Sequence, residues 1–336
     1  MVRSSFKRSF CNKGYEMMTK VLVSGANGFI GSELSSQLIK RKYSVNAVVR
    51  SFGKTSLKIE SGQGLENFEV GEINAETSWS EPLNGVDCVI HCAGKAHITN
   101  KLTHEYKKVN IDGTCSLAQQ AAEAGVKRFI FLSTIKVNGE ITTEFSKFSC
   151  HDAPCPEDEY SKSKWTAEKK LHEISKKTGL DVVIIRPPLV YGPGVKGNFH
   201  SLLTLVSMKL PLPFGSLTNY RSIVGLENLI NLLILCIDHP AARGQTFLVK
   251  DNQDLSVVSL IRRISKIMNK SKIILPVPIY LLKLLGIIGK KSLEVNRLIN
   301  SLQIDDSHTR KLLGWKPSSD ISGFLEKTVN WYLSNK

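Results

Sequence analysis

Short apolar runs alternate with amphipathic stretches from Lys20 onward. The apolar runs predict strands at 20–24, 44–49, 67–71, 87–94, 128–134 and 181–187. Helical spacing covers residues 29–42, residues 104–125, and the stretch from Tyr160 to about Lys177. The second of these helices ends on a glycine. Strands that alternate with helices form a parallel sheet covered on both faces. The sequence therefore predicts an α/β fold with a doubly wound parallel sheet.

The alternation loosens beyond Arg186, where prolines and glycines punctuate residues 187–214. Such a composition is typical of loops at the end of a sheet, where a substrate is held. An apolar helix is predicted at 227–238 and a further strand at 246–251. We predict three parts: a basic tail (1–19), a main domain (20–186) and a smaller substrate-binding region (187–336), of which 225–250 rejoins the main domain.

Composition narrows the class of protein. The chain has 336 residues, 42% of them hydrophobic and 22% charged, as in ordinary globular proteins. No apolar run reaches the roughly 20 residues of a membrane-spanning helix. The seven cysteines are an odd number without a CxxC pair, which argues against a disulfide framework or a zinc site. We expect a cytoplasmic protein without a metal.

The first 19 residues are basic and lack the apolar core of an ordinary signal peptide. We interpret them as an unstructured tail or as the product of a start codon upstream of Met17 or Met18. A transit peptide is the alternative.

The net charge of +15 indicates anionic partners. The chain shows no nucleic-acid-binding signature, so we expect phosphorylated ligands rather than nucleic acid. Eight basic residues and no acidic ones lie between Leu255 and Leu293, interleaved with apolar side chains. This stretch predicts either helices with a solvated basic face or peripheral docking on anionic lipid.

A glycine-rich turn follows the first strand in VLVSGANGFIG (21–31). Gly25 permits the tight turn, Gly28 lets a pyrophosphate approach the helix N-terminus, and Gly31 allows close packing of helix and strand. The turn predicts a dinucleotide site, with a simple tight turn as the alternative. Arg50 follows the second strand, where an acid would bind the ribose of NAD. A guanidinium there favours NADP over NAD, unless it is only a solvated side chain.

Tyr160 and Lys164 stand four residues apart in YSKSK, on one face of a predicted helix. A free phenol has a pKa near 10 and is a weak base, but neighbouring positive charge stabilises the phenolate. The pair therefore predicts an acid–base device. The alternative is a solvated pair on a helix surface.

Several motifs occur together and in order: GANGFIG, HCAGKAH (91–97), VNIDGT with Asn110, LST (132–134), YSKSK and LGWKP (313–317). With them the chain resembles the extended short-chain dehydrogenase/reductase family, and within it nucleotide-sugar epimerases and reductases of the UDP-glucose 4-epimerase type. The resemblance implies a Rossmann-like domain with a smaller C-terminal substrate-binding domain. It implies that NAD or NADP contacts Gly25, Asn27, Gly28, Phe29, Ile30, Gly31, Arg50, Ile73, Ala93, Gly94, Lys95, Asn110, Tyr160 and Lys164.

The same resemblance implies that Tyr160 moves the proton of a sugar hydroxyl, that Lys164 holds the ribose, and that Thr134 bonds the reacting oxygen. Dehydratases of this family carry an Asp-Glu pair after that threonine. Ile135 and Lys136 stand there in this chain, which argues against elimination of water.

A UDP-sugar is the substrate that the resemblance implies, with Asn198 and Arg221 at its diphosphate. Leu189 replaces the usual phosphate-side asparagine. His97 and His200 fall near the expected cleft, and we interpret both as packing or surface residues.

Three functions stay open at this point. The first is a 4-epimerase acting on UDP-glucose or UDP-N-acetylglucosamine. The second is a 4-keto reductase that forms UDP-N-acetylquinovosamine for surface polysaccharide, which the NADP prediction favours. The third is a non-catalytic dinucleotide-binding protein, although Tyr160 and Lys164 are both present. The resemblance also implies a homodimer.

Overall fold

The computed structural model describes residues 18–52, 64–96, 103–143, 146–208, 210–270, 272–289, 292–317 and 321–336. All but the last two residues of the basic tail lie outside this part, as does His97.

The strands are β1 (Lys20–Ser24), β2 (Ser44–Val49), β3 (Leu65–Glu69), β4 (Cys88–His91), β5 (Arg128–Leu132), β6 (Asp181–Arg186), β7 (Leu189–Tyr191), β8 (Ile223–Gly225) and β9 (Thr246–Leu248). The α-helices are α1 (Phe29–Lys40), α2 (Thr103–Tyr106), α3 (Thr114–Glu123), α4 (Glu159–Thr178), α5 (Gly197–Ser207), α6 (Leu226–Asp238), α7 (Val257–Ile267), α8 (Ile279–Ile288), α9 (Ser292–Ile299), α10 (Ser307–Leu313) and α11 (Ile321–Ser334).

Seven strands form one parallel sheet in the order β3-β2-β1-β4-β5-β6-β9. The predicted doubly wound α/β fold is therefore confirmed. The chain order reverses between β1 and β4, which opens a crevice beyond the carboxyl ends of these strands. Strand β3 begins two residues before the predicted 67–71, and the strand predicted at 246–251 lies at the sheet edge as β9.

The described residues form three large apolar cores and a small cluster of Ile135, Leu248, Leu302 and Ile304. One contains side chains of α1 and α6 packed on one face of the sheet, and another contains side chains of α3 and α4 on the opposite face. The third joins α5, α7 and α11 beside the two-stranded parallel pair of β7 and β8. The chain returns to the large sheet after building part of the third core, because α6 packs on one face of that sheet and β9 is its edge strand.

The single helix predicted at 104–125 is interrupted. A π-helical stretch, Lys107–Gly113, separates α2 from α3. Stretches of this kind insert an extra residue and often occur at functional sites. The interruption turns Asn110 inward, where it is 1% exposed.

No described helix combines the length and the apolar character needed to cross a membrane.

Candidate active site

The glycine-rich turn leaves no room for side chains. Gly25 has φ +69°, and a Cβ built on it would lie 2.9 Å from the backbone of Ala93. A Cβ on Gly31 would overlap the carbonyl oxygen of Gly25. The turn thus brings β1, α1 and the loop after β4 together at the sheet's switch point. Gly28 caps α1 without a side-chain hydrogen bond, so backbone N–H groups at this helix end face the crevice.

A groove of about 630 Å³ opens over this turn. It is lined by Gly25, Asn27, Gly28, Arg50, Ser51, Glu72, Ile73, Cys92, Ala93, Gly94, Lys95, Val109 and Lys196. A glycine cradle at a helix N-terminus is the arrangement that a pyrophosphate needs. The residues present therefore fit a dinucleotide.

Six of the predicted cofactor residues do not line this groove: Phe29, Ile30, Gly31, Asn110, Tyr160 and Lys164. Phe29 and Ile30 pack against the apolar cores, and Gly31 permits the close contact within the turn. Asn110 accepts a hydrogen bond from Lys95 N at 2.9 Å, and its amide donates to Lys95 O and to Ser163 Oγ, both at 3.0 Å. Asn110 thus fixes the loop that carries Lys95 to helix α4.

Lys164 lies beneath the groove wall. Its ammonium donates to the carbonyl oxygen of Leu132 at 2.9 Å and lies 4.5 Å from the centre of the Phe131 ring. A Cβ built on Gly94 would be 3.2 Å from Nζ, so a side chain at this position would crowd the ammonium. Burial lowers the pKa of Lys164 to about 8, since a desolvated ammonium loses its proton more readily.

Tyr160 lies in the first turn of α4. Asp158 caps this helix: its carboxylate accepts from Ser161 N at 2.7 Å, and Ser161 Oγ accepts from Asp158 N at 3.2 Å. Burial, the Asp158 carboxylate and Tyr106 raise the pKa of Tyr160. In this structure, then, the surroundings of the phenol keep it protonated, and Lys164 is not among the groups that shift its pKa.

A second cavity, of about 570 Å³, opens between β7, α4, α5 and α9. Predicted catalytic and substrate residues meet in its wall: Thr134, Tyr160, Asn198 and Arg221. Leu189, which stands where the family has an asparagine, also lines it. Lys196, which precedes α5, lines both this cavity and the groove. The two spaces therefore adjoin at a cationic side chain.

A cluster of charges that no sequence motif marks lies in this wall. Lys136 Nζ lies 2.7 Å from Glu140 and 2.6 Å from Asp158, while Arg297 Nη2 lies 3.0 Å from Glu140 and 3.3 Å from Asp158. Burial acts to raise the pKa of Asp158, but hydrogen bonds from Lys136 and the backbone of Ser161 outweigh it and bring the pKa to about 2. Both carboxylates thus stay charged and hold Lys136 and Arg297 at the cavity. In the sequence, Lys136 stands out only because it occupies a position where dehydratases of the family carry an acid. No local motif marks Arg297.

Arg221 serves partly as a brace. Its Nη1 donates to the carbonyl oxygens of Arg297 at 2.6 Å and Asn300 at 3.1 Å, at the end of α9. Burial lowers its pKa to about 10. This arm of the guanidinium holds α9 in place, so only the other arm is available to the diphosphate at which the resemblance places Arg221.

Two other groups stand apart from both cavities. His200 is exposed on α5, with its ring 5.4 Å from that of Tyr332. Ligand-type atoms of Cys150, His151 and His308 lie within 4.8 Å of one another, an arrangement that sequence spacing did not reveal. None of these residues lines the groove or the second cavity, so the chemistry proposed below uses none of them.

Comparison with known proteins agrees with this geometry. Residues 21–249 match the NAD dependent epimerase/dehydratase family. A UDP-glucose 4-epimerase from Vibrio cholerae is 44% identical over 329 residues, which cover 96% of this chain and 98% of the relative. The N-acetyl-alpha-D-glucosaminyl-diphospho-ditrans,octacis-undecaprenol 4-epimerase of Escherichia coli O157:H7 is 27% identical and covers 94% of this chain and 96% of its own.

A solved structure supports the fold. The UDP-glucuronic acid 4-epimerase from Bacillus cereus, in complex with NAD, superposes with a TM-score of 0.77 at 23% identity and covers 94% of this chain and 99% of its own. The family match spans more than half of the chain and begins at the strand that leads into the glycine turn. The protein therefore belongs to the NAD-dependent epimerase/dehydratase family.

Proposed function

We propose that this protein is an NAD-dependent 4-epimerase of UDP-hexoses, acting on UDP-glucose or UDP-N-acetylglucosamine. One observation carries the proposal: a phenol and a hydroxyl, those of Tyr160 and Thr134, line a cavity that adjoins the glycine-lined groove at Lys196. The 44% identity to an enzyme named as a UDP-glucose 4-epimerase supports the same reaction.

The cavity residues divide the proton chemistry between them. A bound NAD supplies the capacity to accept a hydride from C4 of the sugar and to return it. Tyr160 takes the proton of the C4 hydroxyl and later gives it back, while the Thr134 hydroxyl bonds the same oxygen. Bringing a phenol from pKa about 10 to about 7 requires about 4 kcal/mol. The positive charge for this must arrive with the bound oxidised cofactor, because the surroundings of Tyr160 in the structure raise its pKa.

Basic side chains in the wall of the cavity fit the diphosphate of the substrate. Arg297, Lys196 and the free arm of Arg221 supply charge, and Asn198 lies in the first turn of α5, where helix N–H groups attract anions. Glu140 and Asp158 partly neutralise Arg297, which keeps the pocket from trapping product too tightly. The hexose then extends toward Tyr160 and Thr134.

A second function has one observation in its favour. Arg50 lines the groove at the end of β2, the position where a guanidinium suits the 2′-phosphate of NADP. A preference for NADP would fit a 4-keto reductase that consumes NADPH with each turnover. The affinities of the purified protein for NAD and NADP, and their ratio in an Arg50→Asp variant, test this preference. A ratio unchanged by the substitution would mean that Arg50 does not read the ribose.

One assay separates the two functions. Purified protein is incubated with UDP-glucose or UDP-N-acetylglucosamine, with and without NAD, and the C4 epimers are resolved by chromatography or NMR. The epimerase proposal expects interconversion without net production of reduced cofactor. Stoichiometric NADPH oxidation with a 4-keto-6-deoxy sugar nucleotide, together with no interconversion of UDP-hexoses, would replace the epimerase with the reductase.

A further inference from the structure

Large apolar side chains are exposed along α8 and in the segment that leads into it. Scattered exposed apolar residues are common, but a contiguous set marks a contact surface. Tyr280 is 69% exposed, Ile287 64% and Ile288 71%. The other exposed members of the set are Ile273, Leu275, Ile279, Leu281 and Leu284. We call these eight side chains the α8 surface.

Helix α8 is anchored by a narrow edge. Leu282 is 4% exposed, and Gly286, four residues later on the same face, is buried. A Cβ on Gly286 would lie 2.9 Å from Val295 Cγ2, so α8 packs closely on α9. Helix α9 also carries Arg297, which lines the substrate cavity. The α8 surface therefore faces away from the rest of the protein. Only helix α9 separates α8 from the substrate cavity.

This exposure is particular to α8 within the basic stretch. Helix α7 has the ordinary arrangement, since Leu260, Ile261 and Ile264 are buried while Arg262 and Lys266 are exposed. The basic residues of α7 are therefore explained as a solvated helix face, without docking on lipid. The docking hypothesis raised for 255–293 thus narrows to the segment from 272 through α8.

The charged residues of the segment that contains the α8 surface are all positive. Lys283 is exposed on the helix, Lys272 lies just before Ile273, and Lys290 and Lys291 follow the helix in the sequence. No aspartate or glutamate occurs between Leu255 and Leu293. Two copies meeting through this surface would oppose lysines to lysines, and the segment has no carboxylate of its own to offset them. An apolar helix face bordered by lysines instead complements the anionic headgroups and acyl chains of a bilayer.

We propose that the α8 surface docks on an anionic lipid bilayer, with α8 lying in the plane of the interface. Tyr280, Ile287 and Ile288 enter the boundary between headgroups and acyl chains. Lys272 and Lys283 contact the headgroups, with their apolar stems along the surface. Docking brings the substrate cavity, through α9, close to the membrane.

Vesicle flotation tests the proposal directly. The full-length protein is mixed with vesicles of phosphatidylcholine alone or of equal parts phosphatidylcholine and phosphatidylglycerol, at low and at high salt. We expect flotation with the anionic vesicles at low salt, at least about tenfold weaker binding to neutral vesicles, and weakening by salt. Absence of binding to anionic vesicles at low salt would overturn the proposal.

Paired variants identify the surface. The double variant Ile287→Asp with Ile288→Asp removes the apolar contact with the bilayer. The double variant Lys272→Glu with Lys283→Glu reverses the charge beside it. Each double variant should reduce vesicle binding by about tenfold or more. Lys176→Glu with Lys177→Glu makes the same charge change on exposed positions of α4 and serves as the control. Thermal unfolding and turnover of a soluble nucleotide sugar should stay as in the wild type for all three.

Two further results would contradict the proposal. Equal losses in the α4 control and the α8 charge variant would mean that binding follows net charge alone. Conversion of a wild-type oligomer to a monomer by the aspartate variant, with vesicle binding unchanged, would assign the surface to self-association. Because vesicle binding is measured without substrate, its outcome is independent of the proposed epimerase activity.

Discussion

At the scale of single residues, the structure separates two side chains that the sequence presented as a pair. The ammonium of Lys164 is held under Gly94 by the carbonyl oxygen of Leu132, while the Tyr160 phenol faces the substrate cavity. The spacing of four residues correctly placed both on α4 but could not show which partners each would meet. Those partners come from β5 and the loop after β4, which are distant in sequence.

Replacement of Tyr160 tests the proton transfer. Tyr160→Phe should lower kcat for epimerisation by about 10²–10⁴-fold, the range for loss of a general acid–base group, with little effect on NAD affinity. Tyr43→Phe is the matched control, because Tyr43 lies just before β2, at the opposite end of the sheet. A Tyr160→Phe enzyme with full turnover would remove Tyr160 from the mechanism.

The depressed pKa of Lys164 makes stability depend on pH. The folded protein releases this proton near pH 8, whereas the unfolded chain keeps it to about pH 10. The unfolded state binds more protons across this window, so the contribution of Lys164 to folding becomes more favourable as pH rises from about 8 to about 10. The total change is about 3 kcal/mol.

Urea unfolding at several pH values measures the contribution of Lys164 to the free energy of unfolding. The difference in unfolding free energy between wild type and Lys164→Met should shift in favour of the wild type as pH rises through the window. Lys162→Met removes an exposed lysine two residues away and should give a difference that stays flat. A flat difference for Lys164→Met as well would show that its pKa is ordinary.

At the scale of elements, one arginine ties two strands to a helix. Arg128, at the start of β5, donates to the carbonyl oxygens of Cys236, Ile237 and His239 at the end of α6, at 2.8–2.9 Å. The same guanidinium bonds Asp181 at the start of β6 at 2.6 and 3.0 Å. A cation at the carboxyl end of a helix is also favoured by the helix dipole.

Removal of this arginine should be strongly destabilising. Arg128→Leu leaves a buried carboxylate and three carbonyl groups without their donor and should lower the unfolding free energy by about 3–5 kcal/mol. Lys127→Ala, which removes the exposed neighbour paired with Asp87, should change it by less than about 1 kcal/mol. Chemical denaturation of both variants checks the contrast, and similar losses for the two would refute the assigned role.

The elements also show where periodicity reaches its limit. The sequence placed most of the strands within two residues because buried parallel strands are short apolar runs bounded by turns. It did not predict the π-helical stretch within 104–125, because the extra residue changes hydrogen bonding without changing composition. It gave α7 and α8 the same interpretation, although α7 buries its apolar face and α8 exposes it.

At the scale of the whole molecule, Lys196 connects the groove and the substrate cavity. A dinucleotide and a UDP-sugar each carry a diphosphate, so two bound ligands repel each other. Lys196 lines both spaces and its positive charge offsets that repulsion. The two binding reactions are therefore expected to be coupled, and the coupling is reciprocal.

Calorimetry with and without saturating NAD measures the coupling. Lys196→Ala should weaken UDP binding by at least about threefold more in the presence of NAD than in its absence, since only then is the repulsion present. Lys196→Arg keeps the charge and should retain the coupling of the wild type. An equal loss for Lys196→Ala under both conditions would mean that the lysine serves UDP alone.

The sequence by itself determined the succession of strands and helices along the chain, the glycine turn, and the placement of Tyr160 and Lys164 on one helix, because each depends on neighbours within a few residues. Thr134 was indicated only by the family resemblance. Only the tertiary structure decided that Lys136, Glu140, Asp158 and Arg297 meet. The Arg297–Glu140 contact joins residues 157 positions apart, and no local pattern records such a contact. Tertiary packing likewise decided that the apolar face of α8 points outward, because a face is buried only if another element is placed against it.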